Sequence, residues 1–196
     1  AYRRLAAIAF ARMDELPLSA ELLERKAETL EALGRYTAAV RVWREALVLA
    51  PTDTRLLGGL ARSLRGAGDW EAVRELAGQL LENEPSSPGL HAIRGEALLA
   101  LGDARGAIAH LEKAGRKGEA LARAYLKTGQ PARAEEILRQ IRALEDGGLY
   151  ELLERAYREA GETGPAARAA TAARQWAQSP RGIAARLEAN AAITAP

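Results

Sequence analysis

Apolar residues recur along this chain at intervals of three and four, the spacing that places side chains on one face of an α-helix. Between residues 20 and 51, Leu22, Leu23, Ala27 and Leu30 form one stripe, interrupted by Lys26, and Ala39, Val40, Trp43, Ala46 and Leu47 form a second. Gly34 stands between them and predicts a helix stop, because glycine enters the left-handed conformation at little steric cost. Pro51 closes the second stripe, since the residue before a proline is disfavoured in the helical region. The next segment repeats the plan, with Leu57, Leu60, Ala61 and Leu64 before Gly68, then Val73, Leu76, Ala77, Leu80 and Leu81 before Pro85. Three more pairs follow: Ile93, Gly95 and Leu98 with Ala107, Ile108 and Leu111; Leu121, Ala122 and Tyr125 with Ala134, Ile137, Leu138 and Ile141; and Leu149, Leu152, Leu153 and Tyr157 with the alanine-rich stretch 165–177.

The pairs share one frame. Gly34, Gly68 and Gly102 are 34 residues apart, as are Pro17, Pro51 and Pro85. A fixed period of this length marks an array of helix–turn–helix units. It divides the chain into units 20–53, 54–87, 88–114, 115–146 and 147–179. Pro17 in the same frame makes 1–19 the second helix of a truncated unit, and a chain that opens on Ala1 in mid-unit is expected to be part of a larger protein. Residues 180–196 read as a closing helix, with Ile183, Ala184, Leu187 and Ala191 on the face that would cover the last open core. The period slips after Gly102: Gly129 follows at 27 residues and Gly161 at 32. The shortfall falls around Gly115-Arg116-Lys117-Gly118 and predicts two shortened helices with a local change of path. Gly58 and Gly59 interrupt a first helix at a cost of about 1 kcal/mol each against alanine, and should leave a gap in its surface.

Small residues fall where paired helices cross: Ala27, Ala61, Gly95 and Ala122 in first helices, then Ala39, Ala107 and Ala134 in second helices, with Ala46 and Ala114 further along. The turns carry glycine followed by an aromatic residue, Gly34-Arg35-Tyr36 and Gly68-Asp69-Trp70, and prolines end the second helices. This pattern resembles the tetratricopeptide repeat family over nearly the whole chain. The resemblance implies an all-α, right-handed superhelical α-solenoid of antiparallel helix pairs, acting as a protein–protein interaction scaffold whose first helices line a concave groove. The lysine and asparagine clamp of the family's chaperone-binding members is absent, because Asn83 and Asn190 lie near helix ends.

Composition narrows the chemistry. Net charge is +2 from 28 basic and 26 acidic residues, without the clustered basic excess of a nucleic-acid or membrane-surface binder. Arginine supplies all but four of the positive charges, and with the heavy alanine usage this points to a GC-rich bacterial source. Cysteine is absent, which removes disulfides and thiol chemistry and fits cytoplasm and periplasm equally. No apolar run has the ~18 residues of a membrane helix. His91 and His110 are the only histidines, and His91 occupies a core position. Ser19, Ser86, Ser87 and Ser179 lie at turns or helix starts as caps, whereas Ser63 lies on the expected exposed face of its helix. Glu135 and Glu136 are adjacent on a helix and read as a solvated face. No phosphate-binding glycine loop or nucleophile elbow occurs, so neither an enzyme nor a cofactor is expected.

Projecting the first-helix face gives Glu21, Glu24, Glu28 and Glu31, then Arg55, Arg62 and Arg65, then Glu96 and Leu99, then Glu119 and Arg123, and last Glu151, Arg155 and Arg158. The candidate contact residues are Arg55, Arg62, Arg65, Glu96, Arg123, Arg155 and Arg158. Glu28 with Arg62 and Glu96 with Arg123 are expected to pair across neighbouring helices. Arginines on such a face suit a carboxylate-bearing peptide or protein segment. One alternative is a structural array that self-associates through its end faces, beside 2–13 above all. Another is an RNA-reading helical repeat, which the 34-residue period, the terminal prolines and the near-neutral charge disfavour.

Overall fold

The structure, a computed structural model, describes residues 17–115, 118–141 and 146–194, with side chains as far as 188. The helix expected within 1–19 and the side chain of Ala191 lie outside the described residues, as do Arg116 and Lys117. Among the described residues are eleven α-helices and no strand. They gather into two compact units, divided between Pro85 and Ser86.

The first unit holds α1 (Ala20–Ala32), α2 (Tyr36–Leu49), α3 (Thr54–Ala67) and α4 (Trp70–Asn83). Helix starts are set by short polar side chains: Ser19 accepts from the Leu22 N–H, Asp53 from Arg55 and Asp69 from Ala72. Gly34 and Gly68, at φ +70 and +75, end α1 and α3. The following N–H then turns back, Arg35 to the Leu30 carbonyl at 2.8 Å and Asp69 to Leu64 at 3.0 Å. α1 pairs with α2 and α3 with α4, and α3 also packs on both α1 and α2. Ala27, Ala39, Trp43 and Ala46 are fully buried at these crossings. The expected gap at Gly59 does not exist: the Trp43 ring lies where a Gly59 side chain would be, so the missing Cβ makes room for an indole. Ser63 is likewise not on the surface. It is fully buried, and its hydroxyl donates to Glu31 Oε1 at 2.5 Å. A carboxylate from α1 supplies the acceptor that its position needs.

The second unit holds α5 (Pro88–Ala100), α6 (Ala104–Lys113), α7 (Glu119–Lys127), α8 (Pro131–Gln140), α9 (Gly148–Glu159), α10 (Thr163–Gln178) and α11 (Pro180–Thr194). α5 pairs with α6, α7 with α8 and α9 with α10; α6 joins α7, and α8 joins α9. The same returning N–H closes α5, α7 and α9, from Asp103 to Leu98, Gln130 to Tyr125 and Glu162 to Tyr157, each at 2.9 Å. Where the spacing contracts, α6 and α7 have only 10 and 9 residues, against 13 to 14 in α1 to α5. Leu111, Leu121, Ala122, Tyr125, Ile137, Leu138, Leu149, Leu153 and Tyr157 form one continuous core. α11 packs on α10 but does not touch α9. It therefore fails to bury the face expected of it: Ile183 is 47 % exposed and Leu187 65 %.

Candidate interaction surface

In the first unit, α1 and α3 lie side by side and set carboxylates against arginines. The Arg55 guanidinium is 3.0 Å from Asp53 Oδ2 and 3.8 Å from Glu24 Oε2, and its bond to Asp53 holds that partly covered carboxyl below the usual range. Arg62 does not pair with Glu28. Its Nε lies 3.6 Å from Glu31, three residues further on, while Glu28 takes Arg25 of its own helix at 3.4 Å. The side chains of Arg55 and Arg62 remain 64 % and 58 % exposed, so both present their guanidinium groups to solvent while resting on these acids. Arg65, also exposed, stands one turn along α3 from Arg62.

Glu31 is more than one partner of a surface pair. It accepts the Trp43 indole N–H at 2.9 Å as well as the Ser63 hydroxyl, so one carboxylate joins α1, α2 and α3. Projection of the first-helix face gives Glu31 only as one of four acids on α1. It could not show that two buried donors need it.

In the second unit the pairing also differs from expectation. Arg123 Nη2 bonds Asp146 Oδ2 at 2.5 Å rather than Glu96, because the loop before α9 brings an aspartate nearer than α5 brings its glutamate. Glu96 is half-buried, and Leu99 belongs to the core rather than to the face. On α9, Arg155 takes Glu159 at 2.9 Å and Arg158 takes Glu154 at 2.6 Å, both four residues away on the same helix. α7 and α9 touch, so Arg123 belongs to the same run of first helices as Arg155 and Arg158.

Three polar links went unseen in the sequence. Tyr125 donates to Glu112 at 2.5 Å and Tyr157 to Glu135 at 2.6 Å, in each case from a first helix to the second helix before it. Burial and then the Glu135 bond push the Tyr157 phenol up to about 12. Burial acts to raise Glu135, but the bonds from Tyr157 and Arg139 outweigh it and hold the carboxyl below its ordinary value. Glu135 is therefore no solvated face, as its neighbour Glu136 is. The available signal was the tyrosine four residues before a turn glycine, a place that Leu30, Leu64 and Leu98 fill elsewhere. The third link joins His91 and His110, whose Nδ1 atoms are 2.8 Å apart between α5 and α6. Among the described residues, no three His, Asp or Glu side chains converge as a metal would require, and no helix is long and apolar enough to cross a membrane.

Antiparallel helix pairs with small residues at their crossings and charged first-helix faces define a helical-repeat protein of the interaction-scaffold class. Family models described as "Tetratricopeptide repeat" match residues 20–63, 59–118 and 119–148. The chain belongs to the tetratricopeptide repeat family. No relative among the curated proteins matches its sequence. Among solved structures, it is similar to the MamA protein, at 18% identity over 81% of this chain and 92% of that one, with a TM-score of 0.68. It is similar also to TTC0263, a thermophilic TPR protein in Thermus thermophilus, at 26% identity over 90% of this chain and 100% of that one, with a TM-score of 0.53. BtubC from P. vanneervenii matches at 18% identity over 89% and 84% of the two chains, with a TM-score of 0.55. The likenesses to MamA and BtubC show the fold alone.

Proposed function

We propose that this chain is a protein-interaction scaffold that takes an acidic peptide or protein segment on its first-helix face. Arg55, Arg62 and Arg65 serve in the first unit, and Arg123, Arg155 and Arg158, beside Glu96, in the second. One observation carries the reading: Arg55 and Arg62 are more than half exposed, yet each already rests on a carboxylate. Exposed pairs of this kind contribute about 0–1 kcal/mol. A partner's carboxylate can therefore replace the internal one at little cost while the guanidinium stays oriented. Family membership supports the general role, since these repeats are generally non-enzymatic scaffolds. The test is an affinity pull-down with the wild-type chain and an Arg62→Glu, Arg65→Glu variant. The variant is expected to lose the captured acidic partners, and equal recovery by both proteins sinks the proposal.

A second reading, self-association through an end face, is favoured by the open apolar side of α11 at Ile183 and Leu187. Light scattering behind size-exclusion chromatography decides it: a chain that stays monomeric at high concentration rules it out.

A further inference from the structure

The second unit contains a cleft where the regular repeat would have helix. α6 ends at Lys113 after 10 residues, whereas the second helices α2 and α4 run for 14. Gly115, at φ +67, then turns the chain away. The helical turn that would otherwise lie over α7 and α8 is missing, and a cleft of about 310 Å³ stands in its place. Its floor is apolar, made by Leu111, Leu121, Ile137 and the ring of Tyr125; its rim carries Glu112, Arg133 and Glu136.

The rim charges are not equally committed. Arg133 sits over the Tyr125 ring, its guanidinium carbon 5.6 Å from the centroid, an arrangement that engages it as a cation on an aromatic face. Glu112 uses Oε1 to accept the Tyr125 hydroxyl, which leaves Oε2 available. Glu136 is exposed and makes no ion pair among the described residues. Lys113, at the end of α6, does not line the cleft. Among the described residues that line it, two carboxylates against one engaged guanidinium make the rim negative above an apolar floor. That combination suits one kind of side chain, a long apolar stem ending in a cation.

We propose that this cleft docks a partner protein through a lysine or arginine side chain, its stem on Leu121, Ile137 and the Tyr125 ring and its charge between Glu112 and Glu136. The site differs from the first-helix arginines in what it presents: α7 gives it only the apolar floor of Leu121 and Tyr125, its charged rim stands on the second helices α6 and α8, and it prefers the opposite charge. A loss of acidic-peptide capture would therefore leave it standing.

The experiment uses the full chain, isotopically labelled for NMR, and three blocked heptapeptides of alanine and glycine that differ only in a central arginine, glutamate or leucine. The arginine peptide is expected to shift the resonances of Leu121, Tyr125 and Ile137, and the other two to leave them in place. Glu136→Lys, on an exposed helical position that leaves the fold intact by circular dichroism, is expected to weaken that binding about tenfold, the loss of one charge-assisted bond. Arg133→Ala removes the like charge among the described lining residues and is expected to strengthen it. Shifts of equal size with the leucine peptide would make this a purely apolar site, and equal shifts with glutamate an anionic one; either overturns the proposal. So do an absence of shifts with the arginine peptide, unchanged binding by Glu136→Lys, and weaker binding by Arg133→Ala.

Discussion

At the scale of single residues, two adjacent glycines with the same sequence context have opposite meanings. A side chain at Gly59 would occupy the space of the Trp43 indole, whereas one at Gly58 would meet nothing nearer than an Arg62 nitrogen at 4.0 Å. Gly59→Ala is therefore expected to destabilise the first unit by about 1–3 kcal/mol through overpacking. Gly58→Ala should stabilise it by up to about 1 kcal/mol through helix propensity. Urea unfolding followed by tryptophan fluorescence separates the two, and equal effects would contradict the packing described. Glu31→Ala removes the acceptor of both the Trp43 N–H and the Ser63 hydroxyl. With each stranded donor costing about 1–3 kcal/mol, this variant should be worse than Ser63→Ala, which strands nothing.

Titration belongs to the same scale. Burial, and then the positive charges of Arg94, His91 and Lys113, hold His110 below its ordinary 6.5. As pH falls through 6.5 the unfolded chain takes up this proton first, so stability is complete above that value and declines below it. The geometry agrees, because the Nδ1–Nδ1 contact needs one donor and one lone pair, and two protonated rings would oppose each other. His110→Gln should flatten the dependence of the urea midpoint between about pH 7.5 and pH 5; a slope that survives the substitution has another source. At the alkaline end the sign is the same in form. With Tyr157 raised from 10.0 to about 12, the unfolded chain loses its proton first, so stability present below 10 is lost as pH rises towards 12. Tyr157→Phe should remove that component.

At the scale of elements, the helices themselves were legible because they obey local rules. The first-helix ends fall at glycines with positive φ, and the paired stripes are largely buried, although Leu152 is exposed and Leu56, rather than the Leu57 of its stripe, fills the core. α6 and α7 were expected to be short from the spacing alone. What the helices touch was less legible. α11 sets Ile183, Ala184 and Leu187 on one face, yet its backbone meets α10 close to Gly182 and leaves Ile183 and Leu187 open. Replacing both by serine should preserve helicity by circular dichroism and abolish any concentration-dependent rise in mass by light scattering. A rise that persists in the double variant would move the self-association surface elsewhere. Charge pairing was misjudged for a related reason. Helical projection places Arg62 level with the α1 acids but cannot distinguish Glu28 from Glu31, which differ by less than one turn.

At the scale of the whole molecule, stability in a repeat array is approximately a sum of unit and nearest-neighbour terms, so no single central core carries it. The proposed recognition is distributed in the same way, over exposed side chains on successive first helices. If the arginine face recognises acidic segments, its affinity must be electrostatic and salt-sensitive. Capture of acidic partners should fall sharply at ~0.5 M salt, where screening reaches within a few ångströms, and capture that ignores salt would point to an apolar surface instead.

The 34-residue frame, the small residues at crossings and the glycine stops were enough by themselves to specify helix pairs and their order, because each rests on contacts within a helix or between sequence neighbours. Tertiary structure alone decided which acceptor each buried donor finds, as for Ser63 and Glu31, and where a shortened helix leaves room, as in the cleft beyond Lys113. These depend on distances between elements to within an ångström or two. Periodicity gives the face of a helix but not its height or rotation against the next one.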